Sequence, residues 1–289
     1  MRAWWLRLIA PVFVVLWSTG FIGARLGMPH AEPMTFLTIR FALTAAILLV
    51  VALALRVPWP ARASAWGHLA LGGLLMHGTY LGGVFIAIRL GLEAGLSALI
   101  VSLQPLLVAA AAPFLLAEPV GARRWLGLAL GLVGVSLVLS GKLGGSGGAL
   151  AVMACIGALG GITLGTLYQK RFCGEHDLRS GNMIQFAAAA LACGLAALAF
   201  ETRRVDWAPE LLFALFWLVC VLSLGAVPLL YLLLRRGAAS QVASLFFLVP
   251  PTTALIAWPL FGEQLGAVAI AGMVLAVAGV ALVNLERRG

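Results

Sequence analysis

The sequence predicts an all-α integral membrane protein, with ten transmembrane helices arranged as two inverted five-helix repeats. Three observations carry that expectation. The first is composition: 63% of the 289 residues are hydrophobic and 10% charged, too little polar surface to cover a water-soluble globule. The second is a succession of apolar segments of about 17 to 25 residues, each long enough to cross roughly 30 Å of hydrocarbon as a helix. The third is an internal repeat at an offset of 145 residues, almost half the chain.

The segments are placed at 6–27, 33–55, 66–88, 94–116 and 123–141, then at 148–170, 181–200, 210–234, 239–261 and 265–285. The first follows Arg2 and Arg7 as a secretory signal would. It runs on to Arg25 without an Ala-x-Ala-type site and four similar segments follow it, so it is expected to be a retained helix. The second contains Arg40, the one cation inside an apolar segment, about 10 Å from its start. The third carries Gly78 and Gly82, and the fifth Gly127 and Gly131, small-residue pairs that permit close helix approach. Gly157, Gly161 and Gly165 form a longer ridge of the same kind on the sixth. The fourth and ninth hold Pro105 and the Pro250–Pro251 pair near their middles, where proline removes a backbone donor and is expected to kink the helix. These kinks read either as hinges and cavity walls or as fixed packing features. Glu263 falls just ahead of the tenth segment, where the helix dipole favours an anion.

Sliding the chain by 145 residues places Pro105 on Pro250, Glu118 on Glu263, and Gly121, Gly127 and Gly134 on Gly266, Gly272 and Gly279. Sixteen positions are identical between residues 94–138 and their partners, and the same offset pairs Gly20 with Gly165, Arg25 with Lys170 and Phe41 with Phe186. Five helices per unit is an odd number, so the second unit enters the membrane upside down relative to the first. Secondary transporters are often built this way, with a midplane site between halves that rock against each other.

No soluble domain fits between the segments, since the longest polar stretches run from Lys170 to Ser180 and from Glu201 to Glu210. The net charge of +9 resides in short loops, which argues against a nucleic-acid partner. Thirteen of the 19 Lys and Arg residues collect with the two termini and the connections after the second, fourth, sixth and eighth segments. The positive-inside rule then puts both termini in the cytoplasm. Cys155, Cys173, Cys193 and Cys220 have neither CxxC nor paired-ligand spacing, so neither a metal nor a disulfide is expected.

The run from His77 to Leu139, "HGTYLGGVFIAIRLGLEAGLSALIVSLQPLLVAAAAPFLLAEPVGARRWLGLALGLVGVSLVL", and its partner from Leu224 to Val283 resemble the EamA unit of the drug/metabolite transporter superfamily. The matching features are the mid-helix proline of each fourth helix, the glutamate thirteen residues later and the glycine-rich fifth helix. "IRF" at Ile39 to Phe41 and "LWSTGFIGAR" in the first helix match as well. Ala117 stands where the family usually has glycine before the glutamate. Two such units, 6–141 and 148–285, cover essentially the whole chain. The resemblance implies an inner-membrane exporter or exchanger of small metabolites. Its cavity would be lined by the first, third, fourth, sixth, eighth and ninth helices, and the similar YddG-type exporters move aromatic and other amino acids. A lipid bilayer and a small-molecule substrate are the implied partners, with no cofactor and either a monomer or a homodimer.

Polar and aromatic side chains on those helices are the cavity candidates: Trp17, Ser18, His77, Tyr80, Gln104, Thr163, Tyr231, Gln241 and Phe246. Serine and threonine can also satisfy their hydroxyls on the preceding helical turn. Imidazole and amide groups cannot, so His77, Gln104 and Gln241 must bond either another helix or a substrate. Phe247 and Trp258 join Trp17, Tyr80, Tyr231 and Phe246 as aromatic candidates, while Trp4, Trp5, Trp59, Trp66, Trp125 and Trp207 fall where an interfacial belt is expected. Arg40 is a possible anchor for substrate carboxylates or a residue that snorkels or binds carbonyls. All ten acidic residues sit at helix ends or in loops, which argues against exchange of protons for cationic drugs. The chain contains no HExxH, no paired intramembrane carboxylates and no Ser-His-Asp cluster, so a membrane enzyme is disfavoured. A passive channel would tolerate the same lining, but the inverted repeat favours a moving gate.

Overall fold

The structure is a computed structural model that describes residues 3–116, 121–140, 148–236, 242–243, 245–262 and 266–284. In chain order the helices are α1 (Ala3–Gly27), α2 (Pro33–Ala54), α3 (Ala63–Arg89), α4 (Ala94–Val101), α5 (Gln104–Leu116) and α6 (Ala122–Ser140). Then follow α7 (Gly148–Phe172), α8 (Leu178–Phe200), α9 (Pro209–Arg235), α10 (Val249–Phe261) and α11 (Ala267–Asn284). Among the described residues the one β-type pairing is an isolated bridge between Ala31 and Val205.

Seven stretches are long and apolar enough to cross a membrane: Ile9–Gly27, Pro33–Ala54, Ala63–Arg89, Ala94–Ala111, Gly148–Phe172, Leu178–Phe200 and Pro209–Arg235. Shorter apolar helices occupy the fifth, ninth and tenth segments, at Trp125–Gly134, Leu245–Phe261 and Ile270–Gly279. The outward faces are as apolar as the core. Val50, Phe114, Leu191, Phe200 and Val274 are between 63% and 87% exposed, a surface that lipid covers and water would not tolerate.

Irregularities recur at the repeat offset. In the middle of α3, Leu74–Thr79 is wound as a π-helix, and so is Trp217–Ala226 in the middle of α9. Moving the first by 145 residues puts it at 219–224, inside the second. Such wide turns rotate the following side chains about the axis and are frequent at functional sites. A second matched pair is a break. Between α4 and α5 the chain turns at Ser102 and Leu103, and α10 is preceded by a 3₁₀ turn at Leu245–Leu248. Pro105 lies in the first turn of α5, and Pro250 and Pro251 in that of α10. At that position the missing N–H has no intrahelical acceptor to lose. The kinks expected at these prolines are therefore interruptions one turn earlier, after which proline starts a new helix.

Helix pairings follow the same offset. α1 packs on α9 and α10, as α7 packs on α3 and on α4 and α5, while α2 lies along α8 and α6 along α11. In the α2–α8 pair equivalent residues meet, and in the α6–α11 pair glycines of the two repeats approach closely. The Phe41 and Phe186 rings are 5.8 Å apart, and a Cβ at Gly279 would come within 2.6 Å of the Gly127 carbonyl oxygen. In the glycine ridge of α7, Gly161 and Gly165 let that helix lie on Tyr80, Thr79 and Met76 of α3, but Gly157 has nothing near it. On α3 the tightest approaches are at Gly73 against the Gln185 backbone and Gly83 against Ala154, whereas Gly78 meets only its own helix.

The two ends of the bundle differ. At the end carrying the α1–α2 and α8–α9 connections, Glu201 reaches across to cap α2, accepting from the Met34 and Thr35 amides and the Thr35 hydroxyl, all at 2.7 Å. Glu32 accepts from Thr202 Oγ1 at 2.8 Å and the Arg203 amide at 2.9 Å, and His30 Nδ1 lies 3.0 Å from Asp206. At the opposite end Asp177 caps its own helix, α8, through the Arg179 amide at 2.8 Å.

Candidate functional site

A partly open cavity lies where both halves meet. It is lined by Trp17, Gly20 and Phe21 of α1, Arg40 of α2, Met76, His77, Tyr80, Leu81, Val84 and Phe85 of α3, and Leu222 and Val227 of α9. Its volume is about 30 Å³, room for one or two waters. A molecule the size of an amino acid fits only if the walls move.

Three of the cavity candidates line it directly. Trp17 and Tyr80 face each other with ring planes 2° from parallel and centroids 6.4 Å apart. Phe246 closes over Trp17 edge-on at 5.2 Å and packs also on Phe13. His77, in the π-helical turn of α3, stacks on Phe186 at 4.1 Å and lies beside Phe41 at 5.8 Å. Its Nε2 is buried and has no hydrogen-bond partner. Arg40 makes the second helix a cavity helix, which the family resemblance did not lead one to expect. The side chain is 3% exposed and does not snorkel to an interface. Its Nε and Nη2 donate to Ser223 Oγ of α9 at 3.3 and 3.2 Å, and its guanidinium lies 5.6 Å from the centre of the Phe41 ring.

The remaining candidates are bonded elsewhere. Ser18 donates to the Val14 carbonyl at 2.7 Å and lies 3.4 Å from that of Val249, so it sits at the α1–α10 contact. Thr163 donates to Leu159 one turn back at 2.7 Å. Gln104 starts α5 and donates to Thr166 of α7 at 2.9 Å, leaving its Oε1 buried and unpartnered. Tyr231 donates to Gln185 Oε1 at 2.8 Å, and Gln185 in turn donates to Gln169 Oε1 at 2.9 Å. Gln241 lies outside the described residues, as do Glu118 and Glu263. Trp258, an aromatic candidate, is 63% exposed and faces away from the core. Trp66, Trp125 and Trp207 are also exposed, as belt residues are.

Sequence reasoning missed Ser223, Gln185 and Gln169. The signal for Gln185 was available, because "IQF" at Ile184 to Phe186 stands at the repeat offset from "IRF" at Ile39 to Phe41. Arg40 and Gln185 are thus the same position in the two halves. Among the described residues no group of His, Cys, Asp and Glu could hold a metal ion.

Comparison with known proteins points the same way as the geometry. A model of the EamA-like transporter family matches residues 4–140 and 149–285. The chain is 26% identical, over 97% of its length and 92% of the relative's, to a Bacillus subtilis (strain 168) protein named as uncharacterized transporter YvbV. It is also 26% identical, over 94% of its length and 92% of the relative's, to a Salmonella typhimurium protein named as a probable amino-acid metabolite efflux pump. An Escherichia coli (strain K12) protein of that same name is 25% identical over equal shares. A solved crystal structure, 20% identical and covering 98% of each chain, superposes with a TM-score of 0.73 and shares the fold.

Proposed function

The chain belongs to the EamA-like transporter family, and from that premise we propose that it is a ten-helix carrier exporting amino acids across the inner membrane by alternating access. In this reading residues 6–141 and 148–285 are inverted repeats and both termini face the cytoplasm. The observation that carries it is the narrow cavity of about 30 Å³ between the halves, walled by Trp17, Arg40, His77 and Tyr80 of one and Leu222 and Val227 of the other. A static pore would need an opening wide enough for its solute, whereas a site of this volume demands that its walls move to admit and release one. The efflux pumps named among the relatives support amino acids as cargo. Pro105 and Pro250, each at the start of a helix after a break, supply the symmetric joints about which α5 and α10 would swing.

The test is transport by the purified chain in liposomes. Labelled amino acids are expected to enter saturably and faster when the vesicles are preloaded with unlabelled ones. Flux that rises linearly with concentration would instead make the protein a channel, and appearance of a chemically altered product would make it an enzyme.

A further inference from the structure

We infer that the cavity holds a carboxylate subsite, formed by Arg40 with His77 and occupied by the Ser223 hydroxyl until cargo arrives, and that cargo must carry a carboxylate to be moved. The inference rests on the transport reading above and names what that site selects.

Arg40 is charged at neutral pH and nearly free of solvent contact. Among the described residues no carboxylate lies within ion-pair distance of it; Glu32, Glu93, Glu175, Asp177, Glu201, Asp206 and Glu210 all sit at helix ends or in connections. Among the described residues its hydrogen-bond partner is a single hydroxyl. Nε and Nη2 share Ser223 Oγ at 3.3 and 3.2 Å, longer than the roughly 2.7–2.9 Å of a charge-assisted bond to an anion. A guanidinium presents five N–H groups in a fork that matches two carboxylate oxygens, so one shared hydroxyl leaves most of its capacity unused. Burying a cation without an anion is expensive, and an arriving carboxylate removes that penalty where the surroundings are least able to screen it. His77 Nε2, buried without a partner in the same cavity, supplies a second polar contact. Trp17, Phe21, Met76 and Phe85 offer apolar walls to the rest of the molecule.

The placement also couples binding to movement. Arg40 belongs to α2 in the first half and Ser223 to the π-helical turn of α9 in the second. A carboxylate that takes the fork from Ser223 exchanges a bond between halves for a bond to cargo. Arg40's repeat counterpart, Gln185, is neutral and hydrogen-bonded at both amide atoms, so this repeat position carries the subsite in the first half and not in the second.

The experiment compares matched probes in counterflow on the purified chain in liposomes: phenylalanine, leucine and threonine, each beside its carboxamide and its decarboxylated amine. Acids are expected to exchange at least about tenfold faster than their amides and amines, equivalent to about 1.4 kcal/mol of discrimination. Arg40→Gln should abolish that preference. Ser223→Ala, which removes the competing hydroxyl and leaves the guanidinium, should keep the preference and lower the apparent KM for the acids. Equal exchange of acids, amides and amines overturns the subsite while the carrier reading stands. If none of the probes exchanges, the amino-acid carrier reading falls first and the subsite with it. Should Arg40→Gln fail to fold, the wild-type probe series and Ser223→Ala still decide the matter.

Discussion

Arg40 and Gln185 occupy one position of the repeat, each following an isoleucine and preceding a phenylalanine whose ring touches its counterpart. Their surroundings have diverged. Gln185 is 1% exposed and lies in a closed chain, accepting from Tyr231 and donating to Gln169. Arg40 is as deeply buried, yet it leans on one hydroxyl beside a cavity and a histidine nitrogen without a partner. A polar group whose bonds are complete within the protein stabilises one arrangement. A group whose bonds are incomplete is held ready for something else. On the subsite proposed above, the second half at this level holds helices together and the first half binds.

Exchanging the two residues tests this most severely. Gln185→Arg would force a guanidinium into a site where the Gln185 backbone is already against Gly73 and no carboxylate is at hand. It should cost about 3–5 kcal/mol, seen as loss of monodisperse protein in detergent and a lower unfolding temperature. Arg40→Gln removes a buried charge and should leave that temperature unchanged or higher while transport of acids falls. If both variants were equally stable, the position and not its surroundings would govern, and the contrast drawn between the halves would be wrong.

Gln185→Leu is the milder form of the same question. It strands the Tyr231 hydroxyl and one Gln169 amide oxygen in a buried site, at a cost of about 1–3 kcal/mol. Transport per folded molecule should be nearly unchanged, because the chain Tyr231–Gln185–Gln169 does not line the cavity. A large fall in counterflow without a fall in stability would move the functional site toward α8.

Much of this architecture was legible because hydrophobicity and a long repeat are written directly in residue type. Most helix ends lie within a few residues of where apolar runs start and stop, since leaving hydrocarbon obliges a chain to become polar; the exceptions are the break at Ser102 and Leu103 inside the fourth segment and the start of α10 at Val249, ten residues into the ninth. What was hidden depends on rotation about helix axes. Leu74–Thr79 and Trp217–Ala226 contain nothing that distinguishes π-helical winding from α, yet that winding aims His77 and Ser223. Side-chain length concealed Arg40, whose stem allowed an interfacial or an inward head with equal ease. Trp258 and Phe246 looked alike as aromatic candidates; packing turns the first outward and the second onto Trp17. For Ser18 and Thr163 the local hydrogen bond to the preceding turn was anticipated as a competitor and is present in both.

The halves also differ in how they cap equivalent helices. Glu32 and Asp177 are the N-cap residues of α2 and α8, 145 positions apart. Asp177 caps its own helix, whereas α2 is capped by Glu201 from the far end of α8. Glu201→Ala should therefore cost about 1–2 kcal/mol and loosen the packing of α2 on α8, which hydrogen exchange at the Met34 and Thr35 amides would report. Asp177→Ala should disturb only the start of α8. Equal loosening of both helices by either variant would remove the distinction between a cap within one half and a cap between halves.

The smallest effect expected is that of acid. Hydrogen bonding from Thr202 holds the Glu32 carboxyl below its ordinary value, and hydrogen bonding from Arg179 does the same for Asp177. Both groups bind fewer protons folded than unfolded, so each stabilises fully above its unfolded value, about 4.3 for Glu and 3.9 for Asp. That contribution declines as pH falls from there through the lowered folded value. Amide exchange separates the two. Lowering the pH from 6 toward 3 should raise protection-corrected exchange at the Arg203 amide, which Glu32 holds from across the bundle, and at the Arg179 amide, which Asp177 holds locally. In Glu32→Gln the Arg203 response should vanish and the Arg179 response persist, since the two carboxylates serve opposite ends of the molecule. An Arg179 amide that also lost its pH response in Glu32→Gln would mean that the ends are coupled, and that closing one is felt at the other.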